Sequence, residues 1–368
     1  MSIKIALSGY YGFDNAGDEA LLTAITSSIK KLEPRAKFVV FSGSPRRTQE
    51  LHGIRAVYYL NPFSLLRELW RADLLISGGG SIFQDITSAR SLPYYISVVA
   101  MAKLLKKPVI FYAQGVGPIN RRFSKFLMRL VANRVNLITL RDYGSLTYLK
   151  ELQVTRPPLI VTADPVFALE PNPEDEVNMQ KLINRLFSGK KPLIGVSVRK
   201  WKYLEGYQQQ LAQLLDELTI RGYQVLFIPM AYPEDIAESQ KVAGLMQQDA
   251  KIIERNLSST EHLALIAQLD LMIGMRLHAL IFAASRGVSF AGISYDPKID
   301  SFLELFNLKP LSRNYEEMKN QVDKILNDVS LQANLRKKAR NMRARSEDNA
   351  RLAILLINQQ GKFSPQQY

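Results

Sequence analysis

Short apolar runs rich in Val and Ile recur along the chain, each closing on Gly or a polar turn, and helical periodicity fills the gaps between them. "IKIALSG", "KFVVFSG", "ADLLISGGG", "PVIFYAQG", "NLITLRD" and "PLIVTADP" fall within the first 165 residues. Runs of this kind are what strands buried on both faces of a parallel sheet require, so the pattern predicts an α/β fold. "EPNPEDE", residues 170–176, interrupts the rhythm with two prolines and a cluster of acids. It then restarts with "PLIGVSVR", "YQVLFIP", "LDLMIG" and "GVSFAGI". The expected organisation is two doubly wound domains, 1–168 and 191–312, joined by a linker at 169–190. Residues 313–368 carry helical signals only, and such a tail can pack back across the first domain.

Length agrees with two cores: 368 residues exceed what one hydrophobic core usually serves. A hydrophobic fraction of 47% and a mean hydropathy of −0.08 are those of a soluble globular chain. The longest apolar stretch, "SLPYYISVVAMAKLL", is too short and too interrupted to span a bilayer. The start, "MSIKIALSGYYG", runs straight into a strand and lacks the features of a signal peptide, which makes a cytoplasmic location the expectation. No cysteine is present, which excludes disulfides, thiolate catalysis and cysteine zinc sites. Three dispersed histidines do not make a histidine metal site, and no metal is expected.

The net charge of +14 calls for a polyanionic partner: nucleic acid, an anionic membrane surface or a phosphorylated substrate. The densest basic block is "RKKARNMRARS", residues 336–346, which leads into "LAILLI". It reads equally as a solvated helix face or as a membrane-surface patch. No nucleic-acid-binding module is recognisable, so nucleic acid is not expected as a partner.

Ligands of open parallel sheets bind beyond the carboxyl ends of the strands, which is where unusual residues should be sought. "SGYYGFDNAGDEALL" follows the first run; capping accounts for Asp18, while Asp14 and Asn15 suit hydrogen bonding to sugar hydroxyls or proton transfer. Gly79, Gly80 and Ser81 in "SGGGSIFQD" either turn backbone N–H groups toward an anion or sugar, or simply let helix and strand approach. Arg141, Arg199 and Arg276 each follow an apolar run and together suggest an anion site where the domains face each other, because guanidinium forks match phosphate and carboxylate oxygens. Asp142 is a rival partner for Arg141. His278 sits in the first turn of the helix "RLHALIFAAS"; a lone histidine there is more often structural, but beside an anion-binding arginine a neutral imidazole can also transfer a proton. Lys298 in "SYDPKID" is a further cation for the same ligand or a plain helix-surface lysine. His52 and His262 look incidental.

With "GYYGFDNAGDEALL", "SGGGSIFQD", "AQGVGP", "RDYGS", "TADPVF", "GVSVR", "GMRLHALIFA" and "YDPK" in this order, the chain resembles the polysaccharide pyruvyl transferase family, and within it the cell-wall-anchoring branch. The resemblance implies two facing Rossmann-like domains of glycosyltransferase B type. It implies transfer of a carboxyethylidene group from phosphoenolpyruvate, as donor substrate, to a sugar diol with release of phosphate, no other cofactor being called for. By the same likeness Arg141, Arg276 and His278, with the backbone around Leu277, would hold the donor; Lys298 would assist, and Asp14 and Asn15 would face the acceptor. The implied acceptor is a lipid-linked saccharide containing N-acetylmannosamine. Of the residues so gathered, His278 and Asp14 are the expected acid–base pair, Arg199 joins the donor cations, and Gly79, Gly80 and Ser81 join the acceptor side. A lipid-linked acceptor would also give the basic surface a use at the inner membrane face. Two other classes remain in view: a nucleotide-sugar glycosyltransferase of the same architecture, and a non-enzymatic sensor of an anionic metabolite. Nothing in the sequence fixes an oligomeric state.

Overall fold

The computed structural model describes residues 2–85, 88, 90–201 and 206–361. The chain divides into two compact units. One runs to Asp14, resumes from Asp18 to Leu169 and takes in the chain from Met342; the other holds Asn15–Gly17 and Glu170–Asn341.

The first unit alternates strand and helix: β1 (Lys4–Tyr11), α1 (Ala16–Leu32), β2 (Lys37–Ser42), α2 (Pro45–His52), β3 (Arg55–Tyr58), α3 (Pro62–Arg71), β4 (Leu74–Gly78), α4 (Ser91–Leu104), β5 (Val109–Gln114), α5 (Arg122–Ala132), β6 (Leu137–Leu140), α6 (Tyr143–Glu151) and β7 (Leu159–Val161). All neighbouring strands are parallel, in the order β3-β2-β1-β4-β5-β6-β7, so the direction of winding reverses between β1 and β4. Side chains alternate between two cores. Ala6, Leu75 and Phe111 face one that contains Leu65 and Leu69 of α3, Val98 of α4, Met128 of α5 and Leu149 of α6. Ile5, Leu7, Ile76 and Tyr112 face the other, with Leu22 and Ile25 of α1. This double cover is why β4, β5 and β6 read as unbroken apolar runs.

The second unit contains α7 (Pro173–Leu186), β8 (Leu193–Ser197), α8 (Tyr207–Ile220), β9 (Gln224–Phe227), α9 (Glu234–Ala243), β10 (Lys251–Ile252), α10 (Ser259–Ile266), β11 (Leu271–Gly274), α11 (Leu277–Ser285), β12 (Ser289–Gly292), α12 (Pro297–Leu305), α13 (Tyr315–Asn327) and the start of α14 (Val329–Asn358). Its parallel sheet runs β10-β9-β8-β11-β12, with the reversal between β8 and β11.

Two details differ from the sequence pattern. Much of 169–190 is helix rather than linker, because Pro173 opens α7 and Glu174, Asp175 and Glu176 fill its first turn, where the helix dipole favours acids. The strands β3 and β10 are not predicted at all; they are short, lie at sheet edges and bury little of their side chains.

From Met342 onward α14 belongs to the first unit, where Ala350, Leu352, Ala353 and Leu356 join the core beside Ile5 and Leu7. Asn349, fully buried, fixes the helix there. Its Oδ1 accepts from Thr139 Oγ1 at 2.6 Å and Thr162 Oγ1 at 2.8 Å, and its Nδ2 donates to the carbonyls of Ala163 and Ser346 at 3.0 Å. Asn349→Ala strands several buried polar groups at once, each worth about 1–3 kcal/mol. Urea unfolding should therefore show a loss of about 2–4 kcal/mol, whereas Asn349→Ala at wild-type stability would mean that water replaces the amide without penalty.

Among the described residues no helix is long and apolar enough to cross a membrane. The basic block of α14 is partly committed to the protein itself: Lys338 Nζ donates to the Leu305 carbonyl at 3.0 Å, and Arg345 Nη2 to that of Val161 at 3.0 Å.

Candidate functional site

In each sheet the crevice favoured for ligands lies beyond the strand ends where winding reverses, at β1/β4 in the first unit and β8/β11 in the second. Most residues singled out from sequence lie in loops and first helical turns at these ends, while Arg141 follows β6 and Lys298 lies at the start of α12, after β12.

In the first unit Tyr11 Oη donates to the Gly78 carbonyl at 2.5 Å, binding the end of β1 to that of β4. Gly79 and Gly80 follow with φ of 83° and 79°, a left-handed path that needs glycine. Ser81 comes next and meets Arg141: guanidinium Nη2 donates to Ser81 Oγ at 2.7 Å, and Nη1 to Asp164 Oδ2 at 3.1 Å. Gly115 makes room for this guanidinium, since a Cβ there would sit 2.7 Å from Arg141 Nε. Asp142 is the lesser partner, 3.8 Å from Arg141 Nε, because its Oδ1 caps α6 through the Ser145 N–H at 2.6 Å. Two of the five guanidinium N–H groups are thus hydrogen-bonded inside the unit.

Asp14 has φ of 56°, tolerated by Asp in a loop, and its half-exposed carboxylate is ion-paired with Arg47 of α2. His52 is not incidental. Its Nε2 lies 2.7 Å from Glu19 Oε2, while Glu19 Oε1 accepts from the Gly12 N–H at 2.8 Å, so a buried pair braces the loop that ends in Asp14.

In the second unit the capping assignment changes. Asn15, not Asp18, caps α1: its Oδ1 accepts from the Gly17 N–H at 3.0 Å, whereas Asp18 lies within the first helical turn. Asn15 forms a bridge with Ala231, and the Ala16 N–H donates to the Met230 carbonyl at 3.0 Å. Half-buried His278 lies in the first turn of α11 against Gly17, whose missing side chain is essential: a Cβ there would be 2.0 Å from His278 Nδ1.

Arg276 is the N-cap residue of α11, followed by Leu277, whose N–H opens the helix. The guanidinium grips Asp235 of α9 with both prongs, Nε to Oδ2 at 2.9 Å and Nη2 to Oδ1 at 2.5 Å. Burial opposes the charge on Arg276, but Asp235 outweighs it and raises the pKa. Asp235 Oδ2 also accepts from the N–H groups of Met230 and Ala231 at 3.2 and 3.0 Å.

Arg199 differs from the other two arginines. No carboxylate among the described residues pairs with it. Its Nη1 donates to Tyr295 Oη at 2.8 Å, and its guanidinium carbon lies 5.0 and 5.2 Å from the ring centroids of Tyr295 and Trp201. The Nε is buried and has no hydrogen-bond partner among the described residues. Lys298 Nζ lies 5.9 Å from the same Tyr295 ring and 3.2 Å from Asp296 Oδ2, while Asp296 Oδ1 accepts from the Lys298 N–H at 3.0 Å to cap α12. Tyr295 also lies within Coulombic reach of Arg276. Tyr295 thus brings Arg199 and Lys298 together, while Arg276 stands at the N-terminus of α11, groups of a kind suited to a small polyanion.

His262 has a structural place. It is fully buried, with Nδ1 and Nε2 each 3.0 Å from the carbonyls of Ser258 and Pro229, and burial lowers its pKa.

Tyr295, Asp235, Asp164 and Arg47 were not singled out from sequence. Asp235 stands where any helix favours an acid, and Tyr295 is an aromatic in a loop whose neighbours Asp296 and Lys298 carry the evident chemistry.

Residues 15–297, most of the chain, match the family described as polysaccharide pyruvyl transferase. The chain belongs to the polysaccharide pyruvyl transferase family. It is 24% identical over 278 residues to the amylovoran biosynthesis protein AmsJ of Erwinia amylovora, an alignment covering 71% of this chain. The chain spans 65% of the length of that relative. Among solved structures, a putative UDP-N-acetylglucosamine 2-epimerase from Listeria monocytogenes superposes with a TM-score of 0.68 at 12% identity, over 97% of this chain and 96% of that one. A glycosyltransferase from Rickettsia africae superposes with a TM-score of 0.65 at 13% identity, over 99% and 100% of the two chains. This pyruvyl transferase family member thus shares with both a glycosyltransferase B-like fold made of two Rossmann-like α/β units.

Proposed function

We propose that this protein is a phosphoenolpyruvate-dependent pyruvyl transferase that builds a cyclic ketal on a sugar diol. Family membership supports the reaction class. The observation that carries the donor is Arg199: a stacked guanidinium that, among the described residues, has no acidic partner and a buried Nε without a hydrogen bond, sharing Tyr295 with Lys298. Phosphoenolpyruvate presents a phosphate and a carboxylate on one short skeleton, and forked and point cations beside a helix N-terminus match both.

Protonation of the methylene carbon of the donor leaves an oxocarbenium-like centre at C2. One sugar hydroxyl adds there and loses its proton, the C2–O bond to phosphate breaks with its electron pair, and the second hydroxyl closes the ring and loses its proton. Of the two hydroxyl protons, one balances the new methyl group and the other leaves with phosphate. A proton donor and an acceptor suffice, with neither metal nor nucleotide. We assign His278 and Asp14 to these two roles, Arg141, Arg276 and the Leu277 N–H to holding the donor, and Asn15, Gly79, Gly80 and Ser81 to the acceptor side. Asn15 then acts through the loop it caps, since its Oδ1 is already engaged. The finer acceptor assignment is an N-acetylmannosamine unit of a lipid-linked cell-wall precursor, handled at the inner membrane face.

The test is phosphate release from phosphoenolpyruvate that depends on a diol acceptor, with the ketal found on the product. Arg199→Gln should raise KM for phosphoenolpyruvate about 10- to 100-fold, the worth of a hydrogen-bonded charge, at unchanged melting temperature. A melting temperature raised by sugar nucleotides and not by phosphoenolpyruvate would instead favour a glycosyltransferase.

A further inference from the structure

Helices α3, α4 and α5 lie side by side over one face of the first unit's sheet, sharing a core, with α4 packed against both of the others. Their outward side is unusual. Phe63 is 83% exposed and Trp70 68% on α3, Leu104 82% on α4, and Phe123 66% and Phe126 58% on α5. The residues are spaced as one stripe along each helix, at positions 63, 66 and 70 and at 123, 126 and 130, with Leu66 and Leu130 also exposed.

Cations flank both stripes. Arg67, Arg71, Arg122, Lys125 and Arg129 are exposed and have no acidic partner among the described residues. No acid opposes them, for α4 and α5 contain neither Asp nor Glu, and Glu68 of α3 is buried and bonded to Arg55 at 2.8 Å. Beside α5 a groove of ≈ 540 Å³ adds Arg134 and Arg156 to Arg129.

We propose that this face of the first unit docks on an anionic lipid bilayer. Aromatic and leucine side chains ringed by lysine and arginine are what an interfacial surface presents, the apolar groups entering the headgroup–acyl boundary and the cations meeting lipid phosphates. A second copy on the same face would set cation against cation across a two-fold axis. A nucleic-acid strand would find aliphatic Leu66, Leu104 and Leu130 where stacking platforms are needed. The docking stands independently of the proposed reaction. A run of ring contacts, Tyr10–Phe13 at 4.4 Å, Phe13–Tyr59 at 5.6 Å and Tyr59–Tyr94 at 5.2 Å, connects the loop bearing Asp14 to α4, and that it brings a lipid-anchored acceptor to that loop rests on the proposed function.

The experiment is vesicle co-sedimentation of the whole protein, without donor or acceptor, on phosphatidylcholine alone and with phosphatidylglycerol, at low and high salt. Binding should require phosphatidylglycerol and weaken with salt. Replacing Arg67, Arg71, Arg122, Lys125 and Arg129 together by Gln should lower partitioning at least ~100-fold; Phe63→Ser with Trp70→Ser, Phe123→Ser and Phe126→Ser should abolish what salt leaves. Lys337→Gln with Arg340→Gln, on α14, should bind as wild type. The proposal is overturned if wild type does not bind, if the α3–α5 variants bind as wild type, if only the α14 variant loses binding, or if wild type is a dimer that the aromatic substitutions make monomeric. Since no substrate is present, none of these outcomes depends on the pyruvyl-transfer reading.

Discussion

Asp235→Ala should lower the unfolding free energy by about 3–5 kcal/mol, one of the largest single-residue effects in this protein. The carboxylate is 1% exposed and holds both prongs of Arg276, itself mostly buried, so little solvent screening reduces the interaction. Removing it leaves a buried guanidinium uncompensated and takes away the acceptor of the Met230 and Ala231 N–H groups. Asp235→Asn retains an oxygen of the same shape but not its charge, and should fall between wild type and alanine. Arg276→Ala strands the carboxylate instead and should cost a similar amount. Urea unfolding of the three variants checks the ordering; Asp235→Ala within about 1 kcal/mol of wild type would show that the pair is not structural. The same geometry governs how kinetics are read. Lost turnover in Arg276→Ala, taken alone, reports the fold of the β11–α11 loop as much as any contact with donor, whereas Arg276→Lys keeps the charge while giving up the fork.

His278→Ala should lower kcat by about 10²- to 10⁴-fold while preserving the rise in melting temperature on adding phosphoenolpyruvate. In the proposed reaction the imidazole moves a proton and Arg199, Arg276 and Lys298 hold the donor, so binding and chemistry separate at this residue. Stability should change by less than in Asp235→Ala, because His278 is only half-buried. A kcat within about threefold of wild type, well short of the usual worth of an acid or base, would leave His278 as packing for the start of α1. A lost thermal shift would make it a binding residue.

The fold was legible where burial alone decides sequence. Strands such as "ADLLISGGG" and "PVIFYAQG" are covered on both faces, and their apolar runs carry no competing signal. β3, "RAVY", is half-covered at a sheet edge, and four residues are too few for a period to emerge. The acids and prolines at 170–176 read as a break in the pattern, yet Pro173 and the three acids after it open α7. In the candidate site, the loops could be found because glycines and charges stand at strand ends. What those charges touch could not. Arg276 and Asp235 are 41 residues apart and Asp14 and Arg47 are 33, distances over which only the crossover topology brings side chains together. Asn15 and Asp18 are chemically equivalent capping residues, and the choice between them rests on which residue lies one position before the helix.

The first unit's core draws on residues that precede and residues that follow the second unit in the chain. Ile5 and Leu7 are made before the second unit, and Ala353 and Leu356, which complete their packing, are made after it. During synthesis a seven-stranded sheet therefore emerges with one face covered by α1 but not yet by α14, and with Thr139 and Thr162 still waiting for the Asn349 amide. A fragment ending at Leu169 would keep that face incompletely covered, so the boundary drawn by contiguous sequence is the wrong place to cut this protein.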